Sequence, residues 1–568
     1  MILDLRYRSK LDPRLMASYN RVAADICESF NNLIDAYSKQ HAKSIDWWVS
    51  SPASRNTLAS PLFHYCCSIA LIQELLQKEE AISEIVTDSK PFKKILERAF
   101  SHHGVDLKVT FVRPHMKQFL RKIIWPFYSF LATPFKQLLL FFGAKRTRPL
   151  QKDLLNAPLT LLDTFVNPGH IERDRYYPGV IDSLSGLEKE SVCFVPLIYG
   201  FPPSQYLTLT KRLRSSERNF ILKEDYLKLV DYLYAWGHFF RIRALRIGPR
   251  LFREIDISPL VQEEISSGRE FDSSYAALLN YRFAMRLRNS GVRLRAVIDW
   301  FENQIIDRGW NAGFRRFFPK TPIKGYQGFF ASPYYLCMYP TTFEYESKVI
   351  PNQIWVIGPG LVEPVKKFCP NLDVKVAPAL RFKKVWEERR FFPEKNKFTI
   401  LVALPMMKHE AMHIMTLLRH VRGKIGKNVR FWIKPHPTMQ GPDLQAQLSE
   451  NWEGELEILD EMFNDCVEKS DLLISNASST CVETLAKGIP VIIVGNRSGL
   501  TDNPIPENVN KDFWSVCFSQ DEIIRAVQSF QARAGEKGTD KEIYGTEVRK
   551  EFFEPVAYEN VRDFLELN

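Results

Sequence analysis

Short apolar runs alternate with longer amphipathic stretches through the second half of the chain, and this alternation restricts the possible folds more than any other feature of the sequence. The apolar runs are QIWVIGPG from Gln353, FTILVALP from Phe398, VRFWIKPHP from Val429, SDLLISNA from Ser470 and IPVIIVG from Ile489. Helical patterns over 410–421 and 480–487 lie between some of them, and Gly488 provides a helix stop. Buried strands that alternate with helices form βαβ units, so we expect a parallel sheet.

The first half of the chain shows the same alternation. Its strand-like runs are DWWVSS from Asp46, ISEIVTDS from Ile82, VDLKVTFV from Val105, LTLLDTFV from Leu159, VCFVPLIYG from Val192 and RLRAVIDW from Arg293. Helical patterns cover 62–78, 91–100 and most of 219–290. The predicted fold class is therefore α/β, with two doubly wound Rossmann-like domains that face a cleft.

The length of 568 residues exceeds what one hydrophobic core supports. We assign residues 1–345 to an N-terminal α/β domain and residues 346–545 to a C-terminal α/β domain. Residues 546–568 form a predicted C-terminal helix, for which a return to the N-terminal domain is one option. The nine cysteines include no CxxC pair, which favours a reducing cytoplasm over a disulfide framework. Charges interrupt every apolar run of the first fifteen residues, which argues against a secretory signal.

The positive charge of the chain is concentrated in one segment. The net charge is +11, and residues 107–152 contain ten basic residues and no acid. Residues 113–149 are aromatic and aliphatic between these cations, but Pro126, Pro134 and Lys136 interrupt them too often for a membrane span. We expect one or two kinked helices in the interface of an anionic membrane, on the inner face of the cell membrane. An amphipathic helix packed on its own domain is the alternative. No nucleic-acid motif occurs, so nucleic acid is not an expected partner.

Two polar motifs stand at predicted strand ends. KPHP, residues 434–437, closes one strand, and NASST, residues 476–480, follows another. The carboxyl ends of parallel strands border the ligand crevice, so both motifs should face it. Cations, hydroxyls and the N–H groups of a helix start are suited to a phosphate. The predicted nucleotide and phosphate ligands are Lys434, His436, Pro437, Asn476, Ser478, Ser479, Thr480 and Glu483. For Glu483, the acid of a helix capping box is an equal alternative.

The KPHP strand end, the serine/threonine turn and the run ETLAKGIPVIIVG resemble the C-terminal domain of GT-B-type glycosyltransferases that build bacterial surface polysaccharides, such as capsule and lipopolysaccharide. Bacterial sialyl-, polysialyl- and Kdo-transferases, which use CMP-activated sugars, carry an HP motif and an S-S/T motif. CDP-glycerol glycerophosphotransferases have a similar KxHP and serine arrangement. The resemblance covers residues 353–495 and implies that His436, Pro437 and residues 478–480 bind the donor phosphate. DWWVSSPASRN and DRYYPG also resemble surface carbohydrate biosynthesis proteins.

The sialyltransferase pattern includes an acidic D/E-D/E-G motif that supplies the base, and this chain has no convincing copy of it. Glu302, just past a predicted strand end in DWFENQ, is the first candidate for a general base or nucleophile, and Asp163 in LLDTFVNPG is the second. The alternative for each of the two carboxylates is that it caps a helix. Weaker candidates for binding an anionic sugar are Arg55, Asn56, Arg173 and Arg175. A solvated charged loop is the alternative for these residues.

HEAMH, residues 409–413, matches the HExxH pattern of zinc sites. It lacks the GxxH extension and has no assured third ligand, so we expect no metal site. His409 is instead a weak candidate for contact with the substrate at the helix start after LVALP.

The leading hypothesis is a metal-independent glycosyltransferase that moves a sugar from a nucleotide donor to a lipid-linked surface glycan. The expected donor, a co-substrate rather than a cofactor, is a CMP-linked 2-keto acid sugar such as Kdo or sialic acid. The C-terminal domain would bind the donor and the N-terminal domain the acceptor. A leaving phosphate held by His436 and hydroxyls needs no cation. Alternatives on the same scaffold are a CDP-glycerol-type glycerophosphotransferase and a UDP-sugar transferase or epimerase. A zinc peptidase and an inactive membrane scaffold are the alternatives from other classes.

Overall fold

The computed structural model describes residues 1–567 except for short gaps. The gaps are 103–107, 114–115, 149–156, 388–396, 427, 437–438, 440–451, 453–455, 477 and 534–537. Within the described residues, the strands form three parallel sheets and one hairpin. Pro437 lies outside the described residues.

A small sheet forms first along the chain. It pairs β1 (Ile2–Asp4), β2 (Glu84–Thr87) and β3 (Lys108–Phe111) in that order, all parallel. Its surrounding helices include Pro13–Gln40, Leu62–Gln77 and Lys90–His102. The strand predicted at Asp46 is wrong, because Ile45–Trp48 is a helix with both tryptophans buried. A short buried apolar run does not distinguish strand from helix by its periodicity.

The first large sheet contains six parallel strands in the described chain. They are β4 (Leu159–Val166), β5 (Val192–Ile198), β8 (Leu294–Trp300), β9 (Ile323–Gln327), β10 (Gln353–Val356) and β11 (Asp373–Val376). Their order in the sheet is β11-β10-β9-β8-β4-β5. The antiparallel hairpin of β6 (Leu251–Phe252) and β7 (Ile255–Asp256) lies outside this sheet. The chain places β5 on one side of β4 and the later strands on the other, so the order reverses between β4 and β8.

The second large sheet also contains six parallel strands in the described chain. They are β12 (Phe398–Ala403), β13 (Val429–Lys434), β14 (Leu456–Ile458), β15 (Leu472–Ser475), β16 (Val491–Val494) and β17 (Trp514–Cys517). The order β14-β13-β12-β15-β16-β17 is that of a Rossmann sheet, and it reverses between β12 and β15. Both large sheets are thus doubly wound, as the predicted fold class requires.

Further helices lie between the strands along the chain. As far as β11 they are Met116–Arg146, Gly186–Ser191, Tyr206–Ser215, Leu229–Trp236, His238–Arg243, Ser258–Ser267, Phe271–Asn289, Ile305–Phe317, Thr342–Glu346 and Val362–Lys366, with Ser51–Ser54 before β2. Those that follow are Lys408–Arg422, Phe463–Glu468, Thr480–Leu485, Gln520–Ala532, Gly538–Phe552 and Tyr558–Phe564. All nine cysteines lie in the described part of the chain, where they are buried and form no disulfide.

The predicted domain boundary at residue 345 does not separate the two large sheets. β10 pairs with β9 and with β11, although the sequence suggested that it opens the second series. The change from one large sheet to the other falls between Val376 and Phe398. Alternation of strands and helices in a sequence predicts that a strand exists but not which sheet it joins. The predicted boundary at residue 345 therefore precedes the observed change of sheet.

The C-terminal segment lies against the first large sheet. The Lys324 Nζ donates to the carbonyl oxygen of Phe564 at 2.8 Å, and the Thr160 hydroxyl donates to that of Leu565 at 2.9 Å. Lys324 and Thr160 belong to β9 and β4. The last described helix therefore packs across strands of the first large sheet.

The basic segment forms one continuous helix, Met116–Arg146, with Pro126 and Pro134 inside it. A single helix is within the predicted one or two, and each proline in it removes one backbone donor. Among the described residues, no helix is long and apolar enough to cross a membrane.

Candidate active site

A cavity of about 330 Å³ lies between the carboxyl ends of the two large sheets. It is lined by Leu58, Arg175, Tyr176, Trp300, Glu302, Phe329, Phe330, Ala331, Ser332, Tyr335, Arg381, Ser478, Ser479, Asp502 and Pro504. Residues that follow strands of both large sheets contribute to it. Four of the residues predicted from the sequence, Arg175, Glu302, Ser478 and Ser479, therefore line one space.

The topology of the two sheets explains why the cavity forms here. Glu302 stands two residues after β8, beside the point where the first sheet reverses its order. Ser478 and Ser479 follow β15, beside the reversal of the second sheet. Connections leave in opposite directions at such a point and open a crevice at the carboxyl ends, which is where doubly wound sheets bind ligands.

Glu302 presents an oriented carboxylate to the cavity. Its Oε1 accepts from Trp300 Nε1 at 2.9 Å. Its Oε2 accepts from Gln304 Nε2 at 2.5 Å and from the Tyr335 hydroxyl at 3.4 Å. The alternative role as a helix cap is excluded, because Asp307 accepts from the backbone N–H groups of Gln304 and Glu302 at that helix start. The Glu302 side chain is thus available to a ligand.

Asp163 lies on β4 and does not line the cavity. Its Oδ1 accepts from the Trp300 backbone N–H at 2.6 Å and from the Tyr177 hydroxyl at 3.4 Å. Burial raises the pKa of Asp163 to about 6. Burial together with the charges of Asp307 and Asp163 raises the pKa of the adjacent Asp299. Asp163 therefore links β4 to β8 through the Trp300 backbone N–H, two residues before Glu302. This geometry suits a residue that positions Glu302.

The hydroxyl turn after β15 contacts the first domain. The Ser479 Oγ accepts from the Phe330 backbone N–H at 3.4 Å. The Ser478 Oγ accepts from the Thr480 hydroxyl at 2.9 Å, so that hydroxyl already has a partner. The helix Thr480–Leu485 has Ser479 as its N-cap and no side-chain capping bond, so the predicted capping box with Glu483 does not form. Asn476 is buried and lines a different cavity.

The KPHP residues at the end of β13 differ in what they contact. The Lys434 Nζ donates to the carbonyl oxygens of Leu459 and Asp460 at 3.3 and 3.2 Å, so it is engaged with the backbone. His436 is half-buried. Burial and then the charge of Arg175 lower the pKa of His436. His436 therefore lies within electrostatic range of an arginine that lines the cavity.

Arg175 and Arg381 give the cavity its positive charge. The Arg381 guanidinium lies 5.6 Å from the centre of the Trp300 ring. Burial raises the pKa of Glu483 to about 7, while the charges of Arg381 and Lys487 act in the opposite direction. Glu483 is thus electrostatically coupled to the cavity. Arg173 is exposed and is not among the lining residues.

Arg55 is wrong as a ligand for an anionic sugar. Its side chain is buried, and its Nε and one terminal nitrogen donate to the Glu344 carboxylate at 3.0 and 2.6 Å. Its other terminal nitrogen donates to Asn31 and to the carbonyl oxygen of Leu336. The Asn56 side chain accepts from the backbone N–H groups of residues 58 and 59 and shapes a turn. Both residues stabilise the fold.

The HEAMH residues line a second cavity of about 340 Å³ together with Asn476. His409 is therefore separated from Ser478 and Ser479, which line the first cavity. Within the part of the chain that the structure describes, no group of three or more His, Cys, Asp or Glu side chains is placed to hold a metal ion.

Several lining residues were not predicted. The rings of Tyr176 and Trp300 lie 4.6 Å apart, and Trp300 stacks on Phe329 at 6.0 Å. Asp502, whose pKa is raised by burial, adds a second carboxylate. Asp502 follows β16, so the rule that pointed to Ser479 also applied to it. No pattern in the sequence marked Arg381, which lies in a 3₁₀ helix, Leu380–Trp386, after β11.

Two doubly wound parallel sheets that border one cavity at their carboxyl ends define a two-domain α/β protein of the GT-B type, which confirms the predicted fold class. No protein-family model and no curated protein matches the sequence.

Among solved structures, the chain is similar to MurG of Acinetobacter baumannii, with 13% identity over 72% of this chain and 100% of that chain and a TM-score of 0.39. It is similar to the lipopolysaccharide outer core galactosyltransferase WaaB, with 11% identity over 72% and 99% and a TM-score of 0.42. It is also similar to UDP-GlcNAc 2-epimerase from Neisseria meningitidis, with 12% identity over 72% and 100% and a TM-score of 0.41. Likenesses of this size do not define an activity.

Proposed function

We propose that the protein is a glycosyltransferase that uses a nucleotide-sugar donor. The observation that carries this proposal is a single cavity that contains both the Glu302 carboxylate and the hydroxyls of Ser478 and Ser479 beside two arginines. Sugar transfer needs a base for the acceptor hydroxyl and donors for the departing phosphate. Glu302, after β8 of the first large sheet, supplies the base, and Ser478 and Ser479, after β15 of the second, supply donors for the phosphate.

Glu302 acts as the general base in this proposal. It takes the proton of the acceptor hydroxyl while that oxygen forms a bond to the anomeric carbon. The bond from the anomeric carbon to the donor phosphate breaks, and the phosphate leaves with the bonding electrons. The hydrogen bonds from Trp300 and Gln304 keep the carboxylate aimed during this step. Ser479, Arg175 and His436 stabilise the charge that develops on the phosphate.

The proposed donor is a CMP-linked 2-keto acid sugar, such as Kdo or sialic acid. This donor carries one phosphate and one sugar carboxylate, and Arg175 and Arg381 supply a guanidinium for each. The same charges balance the leaving phosphate, so we propose that transfer is independent of a metal ion. The proposed acceptor is a lipid-linked glycan, for which the rings of Tyr176 and Phe329 offer contact faces. A CDP-glycerol or UDP-sugar donor carries a diphosphate instead and is the alternative.

Thermal-shift and calorimetric measurements with CMP, CDP, UDP and their sugars test the proposal, because a ligand bound by the folded state raises its stability. We expect CMP and CMP-sugars to raise the Tm most. Arg381→Met should weaken the CMP-sugar more than CMP, because only the sugar carries the carboxylate. Arg173→Met is the matched control and should change neither affinity. A larger shift with UDP-sugars, or no shift with any nucleotide, contradicts the proposed donor, and loss of turnover in EDTA contradicts metal independence.

A further inference from the structure

The outer face of helix Met116–Arg146 carries an exposed apolar stripe. Ile124, Tyr128, Leu131 and Phe135 follow one another at spacings of four, three and four residues, so they lie on one side of the helix. Leu131 and Phe135 are 65% and 62% exposed, and Phe127 beside them is 63% exposed. Large side chains with this exposure are unusual when they lie next to one another, and they mark interaction surfaces.

A second stripe with the same spacing lies on the neighbouring helices Leu229–Trp236 and His238–Arg243. It consists of Leu229, Leu233, Trp236 and Phe240. Leu233 and Phe240 are 62% and 63% exposed. No pattern in the sequence indicates that these residues belong with the basic segment, since about ninety positions separate the two stripes.

Phe130 joins the two stripes into one surface. Its ring centre lies 5.2 Å from that of Trp236 and 5.6 Å from that of Phe240. The Trp236 Nε1 also donates to the Phe130 carbonyl oxygen at 3.0 Å. We count Leu229–Trp236 and His238–Arg243, which follow one another across Gly237, as one helical segment, and we call the combined exposed stripes the two-helix surface. Part of the first helix does pack on its own domain, as the alternative interpretation expected, for Phe141 and Ala144 are buried.

The two-helix surface lies at the cavity end of the first large sheet. Phe130 contacts Phe271, with ring centres 5.9 Å apart. The helix Phe271–Asn289 leads through a short turn into β8, so the two run in opposite directions. At about 1.5 Å per residue the helix spans roughly 28 Å, and β8 at about 3.3 Å per residue spans roughly 23 Å. Phe271 therefore lies near the level of Trp300, the residue at the other end of β8 that lines the cavity.

The charges around the two-helix surface fit an anionic partner. Residues 124–148 contain four basic residues and no acid. The acid within 229–240 is Asp231, which is buried and accepts from Arg282 and Arg286. One exposed acid, Asp272, accepts from Thr133 beside the first helix. A second copy placed by a two-fold axis would still bring the four basic residues of each copy towards one another. Aromatic rings flanked by cations are typical of a bilayer interface.

We propose that both helices, rather than residues 113–149 alone, form one surface that docks on an anionic lipid bilayer and turns the cavity end of the first sheet towards it. The apolar stripes enter the headgroup region, and the cations contact lipid phosphates. This docking does not depend on the donor or on the chemistry in the cavity. It would present the cavity to an acceptor anchored in the same bilayer.

Co-sedimentation with vesicles of phosphatidylcholine, with and without phosphatidylglycerol, tests the second stripe. Leu233→Ser/Phe240→Ser should weaken binding to the anionic vesicles about tenfold or more, as should Phe127→Ser/Leu131→Ser. Leu187→Ser is the matched control, because Leu187 is 84% exposed and precedes β5 at the opposite end of the sheet. High salt should release the wild type only in part, because salt screens the ionic contacts but not the apolar ones. Circular dichroism melts should be the same for all variants.

Two results would overturn the proposal. The first is wild-type vesicle binding by Leu233→Ser/Phe240→Ser, which would remove the second stripe from the surface. The second is a wild type that elutes as a dimer and becomes a monomer in both double variants, which would make the surface an interface between copies. Neither result bears on nucleotide binding, so failure here is distinct from failure of the proposed function.

Discussion

Replacement of Glu302 by glutamine tests the proposed chemistry most directly. The carboxylate accepts hydrogen bonds from Trp300, Gln304 and Tyr335. Glutamine keeps one oxygen as an acceptor and turns the other position into a donor, so one or two of these bonds are lost. At about 0.5–1.5 kcal/mol per bond, the free energy of unfolding should fall by about 0.5–3 kcal/mol. The variant should therefore fold.

The effect of Glu302→Gln on turnover should be much larger, because an amide cannot take the acceptor's proton. Loss of a general base slows a reaction roughly 10²–10⁴-fold, which corresponds to about 3–5 kcal/mol of barrier. Glu302→Asp withdraws the carboxylate by one methylene and should cost roughly 10²-fold. Initial rates of nucleotide release measure both effects, while calorimetry should give an unchanged affinity for CMP.

Asp163→Asn is the matched control for this prediction. It makes the same carboxylate-to-amide change on the neighbouring strand, outside the cavity. We expect a smaller loss of turnover than in Glu302→Gln. Turnover of Glu302→Gln within tenfold of the wild type would refute the assignment of the base. If Asp163→Asn alone abolished turnover, the role would pass to Asp163.

Three further predictions concern the donor site and the fold. CMP binding should be coupled to proton uptake below about pH 6.5. The reason is that a bound phosphate offsets the burial and the Arg175 charge, which lower the pKa of His436 in the free protein. Calorimetry in buffers of different ionisation enthalpy should detect this proton uptake in the wild type and not in His436→Ala. Ser479→Ala should weaken CMP binding by about 1–2 kcal/mol and Thr480→Ala by less, since the Thr480 hydroxyl already has a partner. Equal CMP affinities of the two variants would contradict this prediction. Arg55→Ala should lower the free energy of unfolding by about 1.5–3 kcal/mol in urea titrations, because it removes one of the two buried guanidiniums, those of Arg55 and Arg308, that pair with the Glu344 carboxylate. A change confined to sugar affinity would restore the predicted role of Arg55.

Backbone topology accounts for the parts of the site that the sequence predicted. Apolar runs located β8 and β15 at or near their observed bounds. The rule that parallel sheets bind ligands at carboxyl strand ends then placed Glu302 and Ser479 together, although no local feature connects them. Their convergence in one cavity follows from strand direction and strand order, both of which βαβ alternation restricts strongly.

β9 shows why other strands were missed. Its sequence IKGYQ contains two polar residues and a glycine, yet every residue of it is buried. The Lys324 Nζ lies there because the carbonyl oxygens of the C-terminal segment accept from it. A lysine whose partners come from more than two hundred positions away gives no apolar pattern, so periodicity could not identify the strand.

Arg55 and Arg381 show the same limit for charged side chains. Arg55 stands in a conspicuous polar cluster, but its partner Glu344 comes from a distant helix and takes it out of solvent. Arg381 stands in no motif, but the connection between the two large sheets brings it over Trp300 and into the cavity. A guanidinium binds a ligand only where the fold leaves it facing a cavity instead of a carboxylate. The backbone sets where a residue at a strand end lies, so the sequence can predict that position. The surroundings of these two arginines depend instead on side chains contributed from elsewhere in the chain.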